Sequence, residues 1–461
     1  MMPHHPTPLG SLLAAAAGSQ DPFALTPTGP VSRERFSFET RVLAGLLAAR
    51  SERRWALVAE DTAVFARGFF ALAAAGKTIL LPQGTAREAI NATDAEALLS
   101  DGAEGPTKLP RLSLTPPAEA EPLRDGDFDP TAVTLSLHTS GSTAQPKRVT
   151  KTLAQVDAEI SALERQWGVM LGAAPVMASV PHHHLYGILV RILWPLAAGR
   201  PFHAATVASP AALGASPPGA ILVSSPAFLT RIAEPAAFGT FAPRAIFSSG
   251  APLPAATALA IGQALGTAPI EIYGSTETGG IAWRTRSSAD EADAAWQTLP
   301  GMELRFDEEG AGKRLVVRSP WTTAGEWMVT GDLATPIADA RFLLAGRADG
   351  VVKLEDKRIN LEELAARLET HANVERARVI VLEGSSRQRL GAVIVPTPAG
   401  AQLLANEGKA AFVARLDALL TEHYERVLVP RKWRIVPALP VNAMGKIERI
   451  RLEALFAREA S

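Results

Sequence analysis

The sequence predicts a two-domain α/β protein, with a large multi-layer α/β N-terminal domain over residues 1–347 and a small α+β C-terminal domain over residues 348–461. Three observations predict it. The chain has 461 residues, more than one hydrophobic core usually serves, with 47% hydrophobic and 20% charged residues. From about Phe36, helix-like stretches such as FETRVLAGLLAAR alternate with the short apolar runs WALVA, TILLP, AILVS and AIFSS, the pattern of buried strands covered by helices. Beyond Gly346 the texture changes: VVKL and ARVIVL read as strands, and LEELAARLETH puts Leu361, Leu364, Ala365 and Leu368 on one helical face.

Along the chain, residues 1–32 are rich in Pro, Ala and Gly without sustained periodicity and are expected to be loosely held. The stretch HAATVASPAALGASPPGA, 203–220, reads as a surface connection within the large domain. Residues 348–461 hold 18 basic against 15 acidic residues, and Arg426, Arg431, Lys432, Arg434, Arg449 and Arg451 cluster late in that segment. The bland alternative for such a cluster is a solvated face.

The formal charge of −1 offers no global field for nucleic acid or an anionic membrane. The absence of cysteine removes disulfides, thiolate catalysis and cysteine-ligated zinc. The apolar run Leu9 to Ala17 lacks a basic leader and is too short to span a bilayer. A soluble cytoplasmic protein, with no nucleic-acid partner and no membrane span, is the expectation.

Five motifs carry the chemistry. TSGSTAQPK, 139–147, lies between the strand-like VTLSL and a helix-like stretch. Its backbone N–H groups and hydroxyls can cradle phosphate, with Lys147 adding a point charge. It is not a Walker loop, since GxxxxGK[ST] is absent. YGSTETGG, 273–280, is expected just after a strand end, where Tyr273 can offer a ring to a base, Thr276 a hydroxyl to phosphate and Glu277 a hard oxygen to Mg2+. Asp332 in VTGD can accept from a ribose diol. GRADGVVKLEDKRI follows, and NAMGK places Lys446 in a turn from which an ammonium could reach a phosphorus centre. Taken singly, each motif has a polar turn as its alternative; the ordered set carries the information.

In this order the segments resemble the adenylate-forming superfamily of acyl- and aryl-CoA synthetases, peptide-synthetase adenylation domains and firefly luciferase, from roughly Val133 to Leu452. The resemblance implies that Thr139, Ser140, Gly141, Ser142, Thr143 and Lys147 hold the β- and γ-phosphates of ATP. It implies that Gly250, Ala251 and Pro252 in SSGAPL flank the adenine opposite Tyr273, and that Asp332 and Arg347 bind the ribose. Thr276 would touch the α-phosphate, Glu277 would hold Mg2+, Lys446 would be the adenylation lysine, and Asp349 the hinge of a mobile C-terminal domain. By motif position His184, in PHHHLYG, Tyr186, Ser249, Gly279, Gly280 and Ile281 would line the acid pocket. The three adjacent histidines make a poor metal site, because in an extended segment only His182 and His184 could converge.

Two departures stand out: Ala144 and Asp356 occupy positions where the family usually has glycine, the second beside the expected pantetheine path. The altered hairpin and the LPVNAMGK ending resemble acid:acyl carrier protein ligases of aryl polyene and xanthomonadin-type pigment pathways. The implied reaction is adenylation of a carboxylic acid, expected to be aromatic such as a hydroxybenzoate, then transfer to a carrier-protein thiol. The alternatives are free CoA as acceptor with an aromatic or medium-chain acid, and a silent nucleotide-binding scaffold.

Overall fold

The computed structural model describes residues 5–82, 84–102, 108–117, 120–124, 126–139, 147–232, 241–288, 295–309, 312–322, 326–338, 340–348, 351–354, 357–382, 389–441, 447 and 449–457. The chain divides into two compact units, Met1–Glu303 with Val317–Met328, and Leu304–Val316 with Val329–Ser461.

After a short helical segment at residues 9–16, the first unit has β1 (Pro22–Thr26) and β2 (Gly29–Ser32), an antiparallel hairpin leading into α1 (Arg33–Ala48), whose Ser32 cap accepts the Arg35 N–H. Next come β3 (Arg54–Val58), α2 (Thr62–Ala74), β4 (Thr78–Leu81), β5 (Ala97–Ser100), β6 (Arg111–Ser113), β7 (Thr134–Thr139) and β8 (Lys147–Thr152). They form a sheet in the order β6-β5-β3-β4-β7-β8, parallel except for the β7–β8 pair. Helix α3 (Leu153–Leu171) starts at a capping box of Thr152 and Gln155 and buries Leu153, Val156, Ile160, Leu163, Trp167 and Leu171.

Strands β9 (Val176–Ala178), β10 (Phe202–Thr206), β11 (Ile221–Ser224) and β12 (Ala245–Ser248) follow, then helix α4 (Ala255–Leu265) and strand β13 (Ile270–Ser275). They run parallel in the order β13-β12-β11-β9-β10-β1. β14 (Gly279–Arg284) and β15 (Trp296–Thr298) extend the β13 side antiparallel.

Two expectations are corrected here. Residues 5–32 are not loosely held: Leu9, Leu12 and Leu13 are buried, and Ala24 and Leu25 of β1 pair in parallel with Phe202 and His203 of β10. A few well-placed leucines and a strand edge anchor the segment without any periodic pattern. Nor is 203–220 merely a surface connection. It begins inside β10, continues through a 3-10 turn at Pro210–Ala215, and buries Leu213 in a cluster with Met177, Leu222 and Ile246.

The second unit contains most of β16 (Glu303–Glu309), β17 (Gly312–Arg318) and β18 (Met328–Ile337), with β19 (Arg341–Arg347), in sequential order. The hairpin β20 (Val351–Leu354) and β21 (Lys357–Asn360) leads to α5 (Leu361–Glu369), capped by the Asn360 side chain. A sheet of β22 (Val374–Leu382), β23 (Arg389–Pro396) and β24 (Lys432–Ile435) packs with α6 (Pro398–Thr421) and α7 (Arg449–Ala457). Leu364, Ala365 and Leu368 are buried on the predicted face of α5, in one core with Phe412, Leu416 and Trp433. This unit reaches further back than the division expected at 347/348. Asn360 Nδ2 donates to Ala345 O at 3.2 Å, tying β19 to the start of α5. Among the described residues no helix is long and apolar enough to cross a membrane.

Candidate active site

The carboxyl ends of neighbouring parallel strands are where an open α/β sheet offers backbone and side chains to a ligand. In the first unit the ends of β9, β11, β12 and β13 lie side by side and carry three of the predicted segments, PHHHLYG, SSGAPL and YGSTETGG. Ser179 and Ser224, behind β9 and in β11, share a hydrogen bond of 2.9 Å between their hydroxyls. Gly250, Ala251 and Pro252 are exposed just beyond β12, with Gly250 at φ 96, a conformation that glycine adopts without strain. Ser249 Oγ donates to Ile272 O at 2.8 Å, fastening this loop to β13 immediately before Tyr273. The two sides of the predicted adenine site are thus one strand apart. Tyr273 packs on Trp296, ring centroids 5.4 Å apart, and Arg284 lies 4.1 Å over the other ring of that stack, Trp296. Glu271 holds Arg284 through two hydrogen bonds of 2.8 Å.

YGSTETGG does not simply follow a strand: β13 runs to Ser275, turns through Thr276–Thr278 and returns as β14, with Gly274 opposite Gly280 and Ser275 opposite Gly279. The turn is closed from within. Ser275 N–H donates to Thr278 Oγ1 and Thr278 N–H to Ser275 Oγ, both at 3.1 Å, leaving Thr276 and Glu277 partly exposed at the tip. Gly274 is required here, because a Cβ would lie 2.1 Å from Gly279 O.

Beneath this turn lies a set of residues that the sequence reading missed. The Lys151 ammonium, 3% exposed, donates to Trp321 O at 2.8 Å and to Glu277 O at 3.1 Å. Glu159, 2% exposed, accepts the Gly280 N–H at 2.7 Å, and Trp321 Nε1 donates to Gly280 O at 3.0 Å. Gln155 Nε2 donates to Thr322 O at 2.6 Å. Burial pushes the Lys151 ammonium below its ordinary range, opposed by the charges of Glu159 and Glu277, and pushes the Glu159 carboxyl upward, opposed by Lys151 and the Gly280 N–H. Gln155 and Glu159 lie one turn apart on α3, but Lys151 lies in β8, so no single periodicity joined the three.

The predicted acid-pocket residues are placed unevenly. Gly279, Gly280 and Ile281 are buried in β14, and the first two abut Glu159 and Trp321. The Tyr186 hydroxyl is buried, which raises its ionisation well above the ordinary phenol range. The histidines are in a turn, not an extended run, so the adjacent rings are His183 and His184, centroids 4.3 Å apart, rather than His182 and His184. His182 is structural: its ring nitrogens bond Ala59 O at 2.9 Å and Thr62 Oγ1 at 3.1 Å, and burial lowers its pKa to about 3. His183 is lowered to about 4 by the same cause.

In the second unit, Asp332 and Arg347 are register partners of β18 and β19, with Arg347 NH1 3.7 Å from Asp332 Oδ1, so the predicted ribose pair is brought together. Thr139 and Lys147 are likewise register partners, in β7 and β8. The phosphate motif therefore joins two antiparallel strands, not a strand and a helix. Ser140, Gly141, Ser142, Thr143, Ala144, Asp349, Asp356 and Lys446 lie outside the described residues. No cluster of three His, Asp or Glu that could hold a metal forms among the described residues. Glu277 offers one hard oxygen, the usual protein share for a Mg2+ whose other ligands are phosphate and water.

A family model described as AMP-binding enzyme matches residues 44–334. The chain belongs to the AMP-binding enzyme family. This AMP-binding enzyme is 30% identical over 319 residues to a 4-coumarate–CoA ligase of Rhodobacter capsulatus, covering 67% of this chain and 73% of that one. It is 27% identical over 359 residues to an anthranilate–CoA ligase of Pseudomonas aeruginosa, covering 71% and 68%. In fold it resembles a benzoate CoA ligase from Burkholderia xenovorans, with TM-score 0.77, 19% identity and coverage of 97% and 99%. It also resembles the amide bond synthetase McbA from Marinactinospora thermotolerans, with TM-score 0.76, 22% identity and coverage of 97% and 99%. As a member of the family it is an AMP-forming acid–thiol ligase that uses ATP with Mg2+, activating an acid by adenylation before thioester formation.

Proposed function

We propose that the acid is an aromatic carboxylate and that the acceptor is the pantetheine thiol of free CoA. The observation that carries this reading is the similarity to relatives named as 4-coumarate–CoA and anthranilate–CoA ligases; the Thr276–Glu277 turn, at the carboxyl end of β13 next to the Gly250–Pro252 loop and Tyr273, supports adenylation as the first step. Adenine stacks on Tyr273, and Ser140 to Thr143 with Lys147 take the β- and γ-phosphates. Thr276 contacts the α-phosphate, Glu277 binds the Mg2+ that arrives with ATP, and Asp332 with Arg347 takes the ribose.

The carboxylate oxygen bonds to the α-phosphorus as the bond to the pyrophosphate oxygen breaks. Lys446 and Thr276 stabilise the charge that builds on the phosphoryl oxygens. In the second half-reaction the thiol attacks the acyl carbon, AMP leaves and the thiol proton is released. Asp349 is the pivot between the two. His184 and Tyr186 line the acid site.

Relatives named for 4-coumarate and anthranilate support an aromatic acid, and both are named for CoA. A carrier protein is the second reading, favoured by exposed Arg431 and Lys432. Much of that basic cluster is engaged internally: Arg426 pairs with Asp417, and Arg434 donates to Leu455 O at 2.8 Å.

The test is mass spectrometry of AMP release and thioester formation across benzoates, cinnamates and straight-chain acids, with CoA and a holo carrier protein in competition. An aromatic acid loaded mainly onto CoA is expected. A straight-chain preference overturns the acid class, and a preference for the carrier protein reverses the acceptor.

A further inference from the structure

Lys151, Gln155 and Glu159 stand at successive intervals of four residues where β8 runs into α3, and all three reach across to the same two turns. Lys151 and Gln155 bond the carbonyls of Trp321 and Thr322, Lys151 also bonds the carbonyl of Glu277, and Glu159 receives the N–H of Gly280. We infer that Lys151 and Glu159 are positioning residues for adenylation, holding the turn that presents Thr276 and Glu277 to the triphosphate and its Mg2+. The inference rests on the role proposed above for that turn.

The chemistry of the contacts favours this over a purely structural role. An ionised lysine withdrawn from water is a poor source of stability, since its desolvation offsets much of what its bonds contribute. Here the charge is shared between two backbone carbonyls, Trp321 O and Glu277 O, so that it ties the Thr276–Glu277 turn to the Trp321 segment. Gly279 lies so close to the brace that a Cβ on it would be 2.6 Å from both Glu159 Oε2 and Trp321 Cδ1, which leaves the turn little room to shift. Lys151 is four residues beyond Lys147 on the same strand, so one strand carries the phosphate-loop lysine and the support of the catalytic turn.

The experiment compares full-length wild type with Lys151→Met and Glu159→Gln, each alone and combined with Glu277→Gln. It measures acid-dependent pyrophosphate exchange, thioester formation from supplied acyl-adenylate, and the thermal midpoint. Lys151→Met is expected to lower the exchange kcat about tenfold to a hundredfold, the scale of a small misplacement of reacting groups. The KM for acid and the thioester step should stay within about threefold. In the Glu277→Gln background the same substitution should lose most of its effect. Glu159→Gln keeps the acceptor for Gly280 N–H and removes the charge; it should move exchange in the same direction by less, and it decides the matter if Lys151→Met fails to fold.

Unchanged exchange in a folded variant, equal loss in both half-reactions, or an undiminished effect in the Glu277→Gln background overturns the inference while leaving adenylation standing. A wild type without acid-dependent exchange overturns both.

Discussion

Helix α3 carries three acidic residues that have lost much of their contact with water, and each has been given a different answer to the same electrostatic problem. Glu164 is fully matched: Arg200 donates to its two oxygens at 2.7 and 2.8 Å, and Trp194 Nε1 adds a third bond at 2.8 Å. Glu159 is matched to a backbone turn: one oxygen takes the Gly280 N–H, and the other has no hydrogen-bond partner among the described residues. Among the described residues Asp157 has only the Leu9 N–H, at 3.0 and 3.3 Å from its two oxygens, and burial pushes its pKa up to about 6. The carboxylate furthest along the helix is the best satisfied. The difference teaches that buried charge on this helix holds packed elements together at Glu164 and fastens the Tyr273–Gly280 turn at Glu159.

The comparison breaks first at Glu164. Arg200→Ala leaves that carboxylate buried without its cation and should lower unfolding free energy by about 3–5 kcal/mol. Urea or thermal unfolding checks it; a loss under about 1 kcal/mol would mean that this pair is no more structural than the one under the turn. The Lys151 variants come next, with activity lost while stability largely holds.

The smallest effect belongs to Asp157. Because its folded pKa lies above the unfolded value near 3.8, the native state holds this proton more tightly than the unfolded chain does. Ionisation above pH 6 therefore disfavours the fold, and stability from this group rises as pH falls from 7 towards 4. Asp157→Asn should raise the thermal midpoint at pH 7.5 by about 2–4 °C and lose that advantage below about pH 4. A pH-independent shift would show that the carboxyl is not what titrates.

What the sequence made legible follows from range. Thr139–Lys147 and Tyr273–Gly280 stood out because their hydroxyls, glycines and charges lie close together along the chain. The α5 face could be read because Leu364 and Leu368 recur at helical spacing. The brace could not, since Lys151 meets its partners 126 and 170 residues away and Glu159 its own at 121. A lysine within KRVTKT carries no mark of its burial. The order of residues 5–32 was hidden likewise, because a single parallel pairing of β1 with β10 and three leucines fix it.

The most direct measurement is exchange of labelled pyrophosphate into ATP, with aromatic acids, by wild type and Lys446→Ala. Wild type should catalyse acid-dependent exchange, and Lys446→Ala should lose about a hundredfold or more of it, the size of one charge-stabilising donor, while still converting supplied acyl-adenylate to thioester. Exchange at the wild-type rate in Lys446→Ala, or none from wild type with any acid, would contradict adenylation by this site.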